Sequence, residues 1–279
     1  MKAYQDTLKH EFTWRGAFIE YLGPGGFALA LLSGVAAVLA GLGSRWEWWH
    51  FRTGFELLRW AAVGGLAAAV ISLAGGIAAW REMKRAVFLL AVAGLAVGLA
   101  TAGIPWRWMQ TAQQVPRIHD ITTDTANPPA FMSILLLRKD AANPAEYGGP
   151  AIAAQQRAAY PDIDTLILPV PADTAFERAL RTARDMGWQV VDASAAEGRI
   201  EAVATTFWFG FKDDVVVRIA PASGGSKVDI RSVSRVGVSD VGANAERIRT
   251  FTQRLAGIAG VDRSILYMDP FGRSREGQP

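Results

Sequence analysis

The chain has 279 residues, no cysteine, a formal net charge of +3, 51% hydrophobic residues and 20% charged residues. Without cysteine it can form no disulfide, thiolate metal site, cysteine nucleophile or lipidated anchor cysteine. Residues 1–109 carry 10 Lys/Arg and 6 Asp/Glu, while residues 110–279 carry 19 Lys/Arg and 20 Asp/Glu, so the distal half lacks the basic footprint that nucleic acid requires.

Three uncharged stretches, residues 25–43, 61–79 and 86–104, are each 19 residues long and read as transmembrane helices within a membrane region 1–109. A buried globular helix rarely stays apolar on every face for that length. Trp46, Trp48 and Trp49 follow the first span, Trp60 and Trp80 bracket the second, and Trp106 and Trp108 follow the third. Amphipathic rings prefer the headgroup level, so these form an aromatic belt. Asp6, Glu11 and Glu20 ahead of the first span are unlike a basic signal-peptide flank, and a retained anchor is expected.

Within the spans only Ser33, Ser72 and Thr101 are polar. A pump or ion channel normally keeps an ionisable group in the bilayer, so those readings fall behind. Gly64, Ala68, Ser72 and Gly76 recur every four residues, with Gly94 and Gly98 as a second pair. That spacing lets helices approach closely, either among the three spans or across a homo-oligomer interface. Arg81, Lys84 and Arg85 lie in the short turn between the second and third spans. The positive-inside bias then sets the N-terminus inside and the C-terminal half outside, which in a bacterium is the periplasm.

Residues 110–164 read as a tether with irregular structure, broken by Asn127-Pro128-Pro129 and Gly148-Gly149-Pro150. Within it, the apolar run Phe131–Leu137 suggests a strand and 151–159 a short helix. An α+β domain is expected over 165–262, followed by a tail over 263–279. Thr165–Val170 reads as a strand, and Asp173 is placed to cap a helix ending near Met186. Strands follow at 188–193, 199–206, 213–220 and 227–234, then a closing amphipathic helix over 240–258. The order β-α-β-β-β-β-α implies an antiparallel sheet with helices on one face, a two-layer α+β domain.

The last hairpin allows a register argument around a turn in Pro221–Ser226. Pairing positions that sum to 447 sets Val217 opposite Ile230 and Ile219 opposite Val228 on one apolar face. The other face then sets Arg218 opposite Asp229, with Asp214, Arg231 and Arg235 alongside. Next to this hairpin, Phe207-Trp208-Phe209-Gly210-Phe211 reads either as packing at the sheet's end or as an exposed edge for a bilayer or partner.

Phe209-Gly210-Phe211-Lys212-Asp213-Asp214-Val215 and the string Arg231-Ser232-Val233-Ser234-Arg235-Val236-Gly237-Val238-Ser239-Asp240-Val241-Gly242-Ala243-Asn244 are distinctive in length and order. They resemble the bacterial and plant family called domain of unknown function 1499, over roughly residues 117–256. Many relatives carry Pro-Asn-Cys upstream where this chain has Asn127-Pro128-Pro129-Ala130, so no role of that cysteine carries over. Some relatives resemble secreted lipoproteins, which implies a periplasmic domain. The resemblance implies no activity.

The candidate ligand site gathers Asp213, Asp214, Arg231, Ser232, Ser234, Arg235, Ser239, Asp240 and Asn244, with Gly237 and Gly242 for tight turns. Amides at the start of the last helix beside Arg235 suit a carboxylate, a phosphate head group or a sugar. The same residues equally suit a structural role as ion pairs and helix caps. The histidines are His10, His50 and His119, none placed as the base a serine nucleophile needs. His119-Asp120 with Asp124 lacks further ligands at metal spacing, and no cofactor motif is found.

The reading is a non-enzymatic envelope protein, multi-pass in the inner membrane, presenting its domain to the periplasm. Its expected partners are the lipid bilayer, an envelope protein or a small anionic ligand. The alternative is an envelope lipid or cell-wall hydrolase or transferase using Asp213/Asp214 with Arg231/Arg235.

Overall fold

The computed structural model describes the backbone of residues 2–258 and the side chains of residues 21–257, which form two compact units. The tail 263–279 lies outside the described residues.

The first unit holds residues 1–111 together with Phe207–Gly210. Its helices are α1 (Lys2–Arg45), α2 (Phe51–Arg81) and α3 (Arg85–Gln114). Each is long and apolar enough to cross a membrane, and each contains one expected span. Small residues set their packing. A Cβ at Gly98 would lie 2.5 Å from the Gly65 carbonyl oxygen, and one at Gly94 would lie 2.9 Å from the Phe27 backbone. Ala68, Ser72 and Gly76 are buried, and a Cβ at Gly64 would meet Ser33 Oγ at 2.5 Å. Of the two readings of this stripe, packing among the spans and a homo-oligomer interface, the first is seen: the small residues let the helices of one chain approach closely. Leu32, Leu66, Leu73 and Leu89 point outward.

Phe207–Gly210 divides the aromatic run by role. Phe209 is buried with its ring 4.9 Å from that of Phe55, and the Trp208 indole donates to the Val38 carbonyl at 3.0 Å. Phe207 is exposed.

The second unit holds residues 112–206 and 211 onward. Its strands are β1 (Asp120–Thr122), β2 (Leu166–Leu168), β3 (Gln189–Ser194), β4 (Arg199–Thr205), β5 (Lys212–Ala222) and β6 (Gly225–Ser234). All pairings are antiparallel in the order β1-β6-β5-β4-β3, with β2 sharing the outer edge of β6. Helices α4 (Gly149–Ala159), α5 (Ala172–Asp185) and α6 (Ala243–Ile258) complete an α+β domain. From β2 onward the order is the expected β-α-β-β-β-β-α.

The hairpin register is as expected: Val217 opposes Ile230, Ile219 opposes Val228, and Arg218 opposes Asp229. The turn is tighter than Pro221–Ser226. Ala222 pairs Gly225, leaving Ser223 and Gly224 as the loop, and Gly224 takes the left-handed conformation that a two-residue turn needs. Ser226 is consequently a buried strand residue.

Alternation places Val215, Val217, Ile219, Val228 and Ile230 under α5 and α6. Phe176, Ala179 and Ala183 from α5 and Ile248, Phe251 and Leu255 from α6 fill this core, with Trp188 stacked on Phe251. Pro171, not Asp173, is the N-cap of α5; Asp173 lies in the first turn, where its carboxylate accepts the Thr174 amide at 2.6 Å.

Residues 110–164, read from sequence as tether, supply the end of α3, β1, α4 and a cover for the second sheet face. The run expected as a strand is a 3-10 helix, Ser133–Arg138. Its cause is Glu201, whose carboxylate accepts the amides of Met132, Ser133 and Ile134. One anion holding three successive N–H groups requires a helical turn, as at any helix start. Phe131 and Ile134 then pack on Val203, Val216 and Val233.

Candidate functional site

Consecutive strand residues point to opposite sheet faces, so Asp213 and Asp214 cannot share a site. The structure divides the nine candidate residues accordingly. Asp213, Ser232, Ser234 and Asn244 gather on the helix side, with Ser239 and Asp240 in the adjoining loop. Asp214, Arg231 and Arg235 lie on the outer face.

On the helix side the organiser is Arg247, which the sequence reading did not single out. It lies one turn after Asn244 on α6, and an i,i+3 pair on a helix start was the signal available. Its guanidinium donates to Asp213 at 2.5 Å, to Ser232 Oγ at 3.0 Å and to the Asn244 side-chain oxygen. Ser232 also donates to that oxygen at 2.7 Å. The Asn244 amide donates to Ser234 Oγ and to the His119 carbonyl, both at 3.0 Å. Asn244, Ser232 and Asp213 are all buried, so each polar atom must find such a partner.

Asp240 caps α6. Its carboxylate accepts the Gly242 amide at 2.9 Å and the Asn244 amide at 2.7 Å. Burial pushes its pKa up, Asp213 adds to the rise, and the two amides and Arg247 oppose it. Ser239 Oγ accepts the Val241 amide. Val241 sits in the left-handed region at φ 55°, a strained conformation for a β-branched residue, between Asp240 and the left-handed Gly242.

On the outer face Asp214 is fully buried between two guanidiniums, those of Arg138 and Arg235, the latter gripping both carboxylate oxygens. Arg231 forms a two-point pair with Asp120 at 2.7 and 2.9 Å. It also donates to the Pro129 and Ala145 carbonyls and lies against the Phe131 and Tyr147 rings. Burial raises the Asp120 pKa, with Arg231 opposing, and it pushes the Tyr147 hydroxyl up to about 12. The face is an ionic lattice as read from sequence, but a buried one. Asp120, Arg138 and Glu201 belong to it and were missed as members: Asp120 and Arg138 have their ionic partners, and Glu201 its amide partners, more than 60 residues away in sequence.

The further lattice pair Arg218–Asp229 closes at 2.7 Å, and Arg218 and Lys227 also hold Asp124. Asp120 and Asp124 are thus held by arginine and lysine partners, while the His119 ring faces the Val238 carbonyl. Among the described residues no group of three His, Asp or Glu side chains could hold a metal ion. A cleft of about 380 Å³ opens beside Arg247, lined by Trp188, Thr205, Glu246 and Thr250. Neither Asp213 nor Asp214 lines it.

Residues 120–255 match the model of a family described as protein of unknown function (DUF1499). No curated protein matches the chain.

Proposed function

We propose that this chain, residues 120–255 of which match the DUF1499 family, is a non-enzymatic accessory or binding protein of the cell envelope. In this reading three helices hold it in the inner membrane and present the α+β domain to the periplasm. The observation that carries the non-enzymatic part is the pairing of the signature charges. Asp213 is committed to Arg247, Asp214 to Arg138 and Arg235, and Arg231 to Asp120. An acid–base pair of Asp213 and Asp214, which the hydrolase or transferase alternative needs, would require both on one face.

The partners we infer are the bilayer, which the three apolar helices fit, and an envelope protein or small anionic ligand. The Arg81–Arg85 turn supports an inward N-terminus.

The test is sidedness. Ser223→Cys places one thiol at the exposed hairpin turn of a chain without others. Labelling by a membrane-impermeant maleimide in intact spheroplasts is expected. Labelling only after lysis would put the domain in the cytoplasm and overturn the envelope reading.

A further inference from the structure

The segment 125–147 lies across the outer sheet face as a strap, and its attachments to the sheet are mainly side-chain ones. Glu201 takes three strap amides, Arg231 takes the Pro129 and Ala145 carbonyls, and Ser133 donates to Asp192. Arg138 reaches down to Asp214, and the Asn143 side chain reaches the Ser234 and Gly237 carbonyls. The apolar contribution is small: Phe131 and Ile134, with Ala145 beside them, on Val203, Val216, Val233 and the partly buried Val191. Met132, Leu135, Leu136 and Leu137 face away.

The charges beneath the strap are balanced without it. Asp120 has Arg231, Asp214 has Arg235 and Glu201 has Arg199, every partner lying on or beside a sheet strand. From the strap, Arg138 is the charge that pairs with a sheet carboxylate, that of Asp214. Lifting the strap therefore leaves no sheet ion unpaired and returns five buried ionic side chains towards water, and their rehydration offsets part of the energy needed to detach the strap. Strand β1 stays behind, held by β6 on one side and by Gln156 on the other.

We propose that residues 125–147 open as a unit from the outer sheet face while the sheet remains folded, giving the domain a closed form and a form with its ionic lattice exposed. Segments with few buried apolar contacts and side-chain tethers open well below the cost of global unfolding. This inference goes beyond the binding reading and does not depend on which side of the membrane the domain faces.

The test is hydrogen exchange of the full chain in detergent micelles. Amides of Met132, Ser133 and Ile134 should exchange about 100-fold faster than those of Val215–Ile219 in β5. Glu201→Gln should accelerate the strap amides by about tenfold more than it accelerates those of β5. A second readout uses burial-matched thiols, since Ile134 and Val217 are both within 1% of full burial. Ile134→Cys should react with maleimide under native conditions about 100-fold faster than Val217→Cys. Equal protection of strap and β5, or equal thiol reactivity, would overturn the proposal. The native-chain comparison decides by itself should either variant fail to fold.

Discussion

The side chain of Gln156 acts towards Thr122 as a neighbouring strand would. It is fully buried in α4, donates to the Thr122 carbonyl at 2.6 Å and accepts the Thr122 amide at 3.0 Å. A carboxamide has the donor and acceptor of a peptide group, so it satisfies both edge atoms of β1 where no strand is present. The strand that carries Asp120 is thereby closed on both sides.

Gln156→Leu, close in volume and without polar atoms, should leave the Thr122 N–H and C=O unpaired. Each buried orphan costs about 1–3 kcal/mol. Urea unfolding of the full chain in detergent, read from β5 and β1 exchange, should show that loss, with β1 exposed first. Unchanged stability would mean that water replaces the carboxamide.

Stability should also depend on pH through Asp240. Its folded pKa lies above the ordinary 3.8, chiefly through burial, so the folded chain keeps a proton that the unfolded chain has released. The contribution is then greatest below 3.8 and falls as pH rises through the raised folded value. Asp120 has the same sign, also through burial, whereas Asp162, held below 3.8 by Arg249, has the opposite one and is lost at acid pH. Asp240→Asn should flatten the decline of stability with rising pH above 3.8. Superimposable pH profiles for variant and parent would refute this.

In the membrane region, Gly98→Leu should disrupt packing of α2 on α3, since any Cβ there meets the Gly65 carbonyl oxygen and the Ala69 amide within 3 Å. Leu89→Ala, on an outward-facing position, should be nearly neutral. Thermal unfolding in detergent micelles should separate the two by several degrees. Equal midpoints would contradict the packing role of the small-residue stripe.

The parts of the fold legible in the sequence are those fixed by local pattern. Span length, the alternation in β5 and β6, and the 3.6-residue period of α5 each follow from one side chain meeting a uniform environment, lipid or core. The Val217–Ile230 register was legible because a one-residue slip would bury Arg218 with the valines. What was not legible depends on distant partners. The run Phe131–Leu137 has strand-like composition, and Glu201, 68 residues from Ser133, turns it into a 3-10 helix. The candidate residues were found, but not their division. The strings around Asp213 and Arg231 mix both faces, and the residues completing each cluster, Arg247 on one side and Arg138, Asp120 and Glu201 on the other, lie outside those strings.

Above all, we expect the polar signature to hold the domain together through its buried ion pairs. Asp214 is the sharpest probe of that role, being fully buried between Arg138 and Arg235. Removing one member of a buried ionic cluster strands the others and costs about 3–5 kcal/mol, whereas replacing a catalytic or ligand-binding group commonly leaves stability unchanged or raises it. The measurement is the urea unfolding midpoint of full-length Asp214→Asn in detergent, followed by exchange of the β5 amides. A loss of that size, adding to the loss from Asp213→Asn because the two face opposite sides and share no partner, is the expected result. Parental or higher stability of Asp214→Asn would refute the structural role and return Asp214 to the candidates for chemistry.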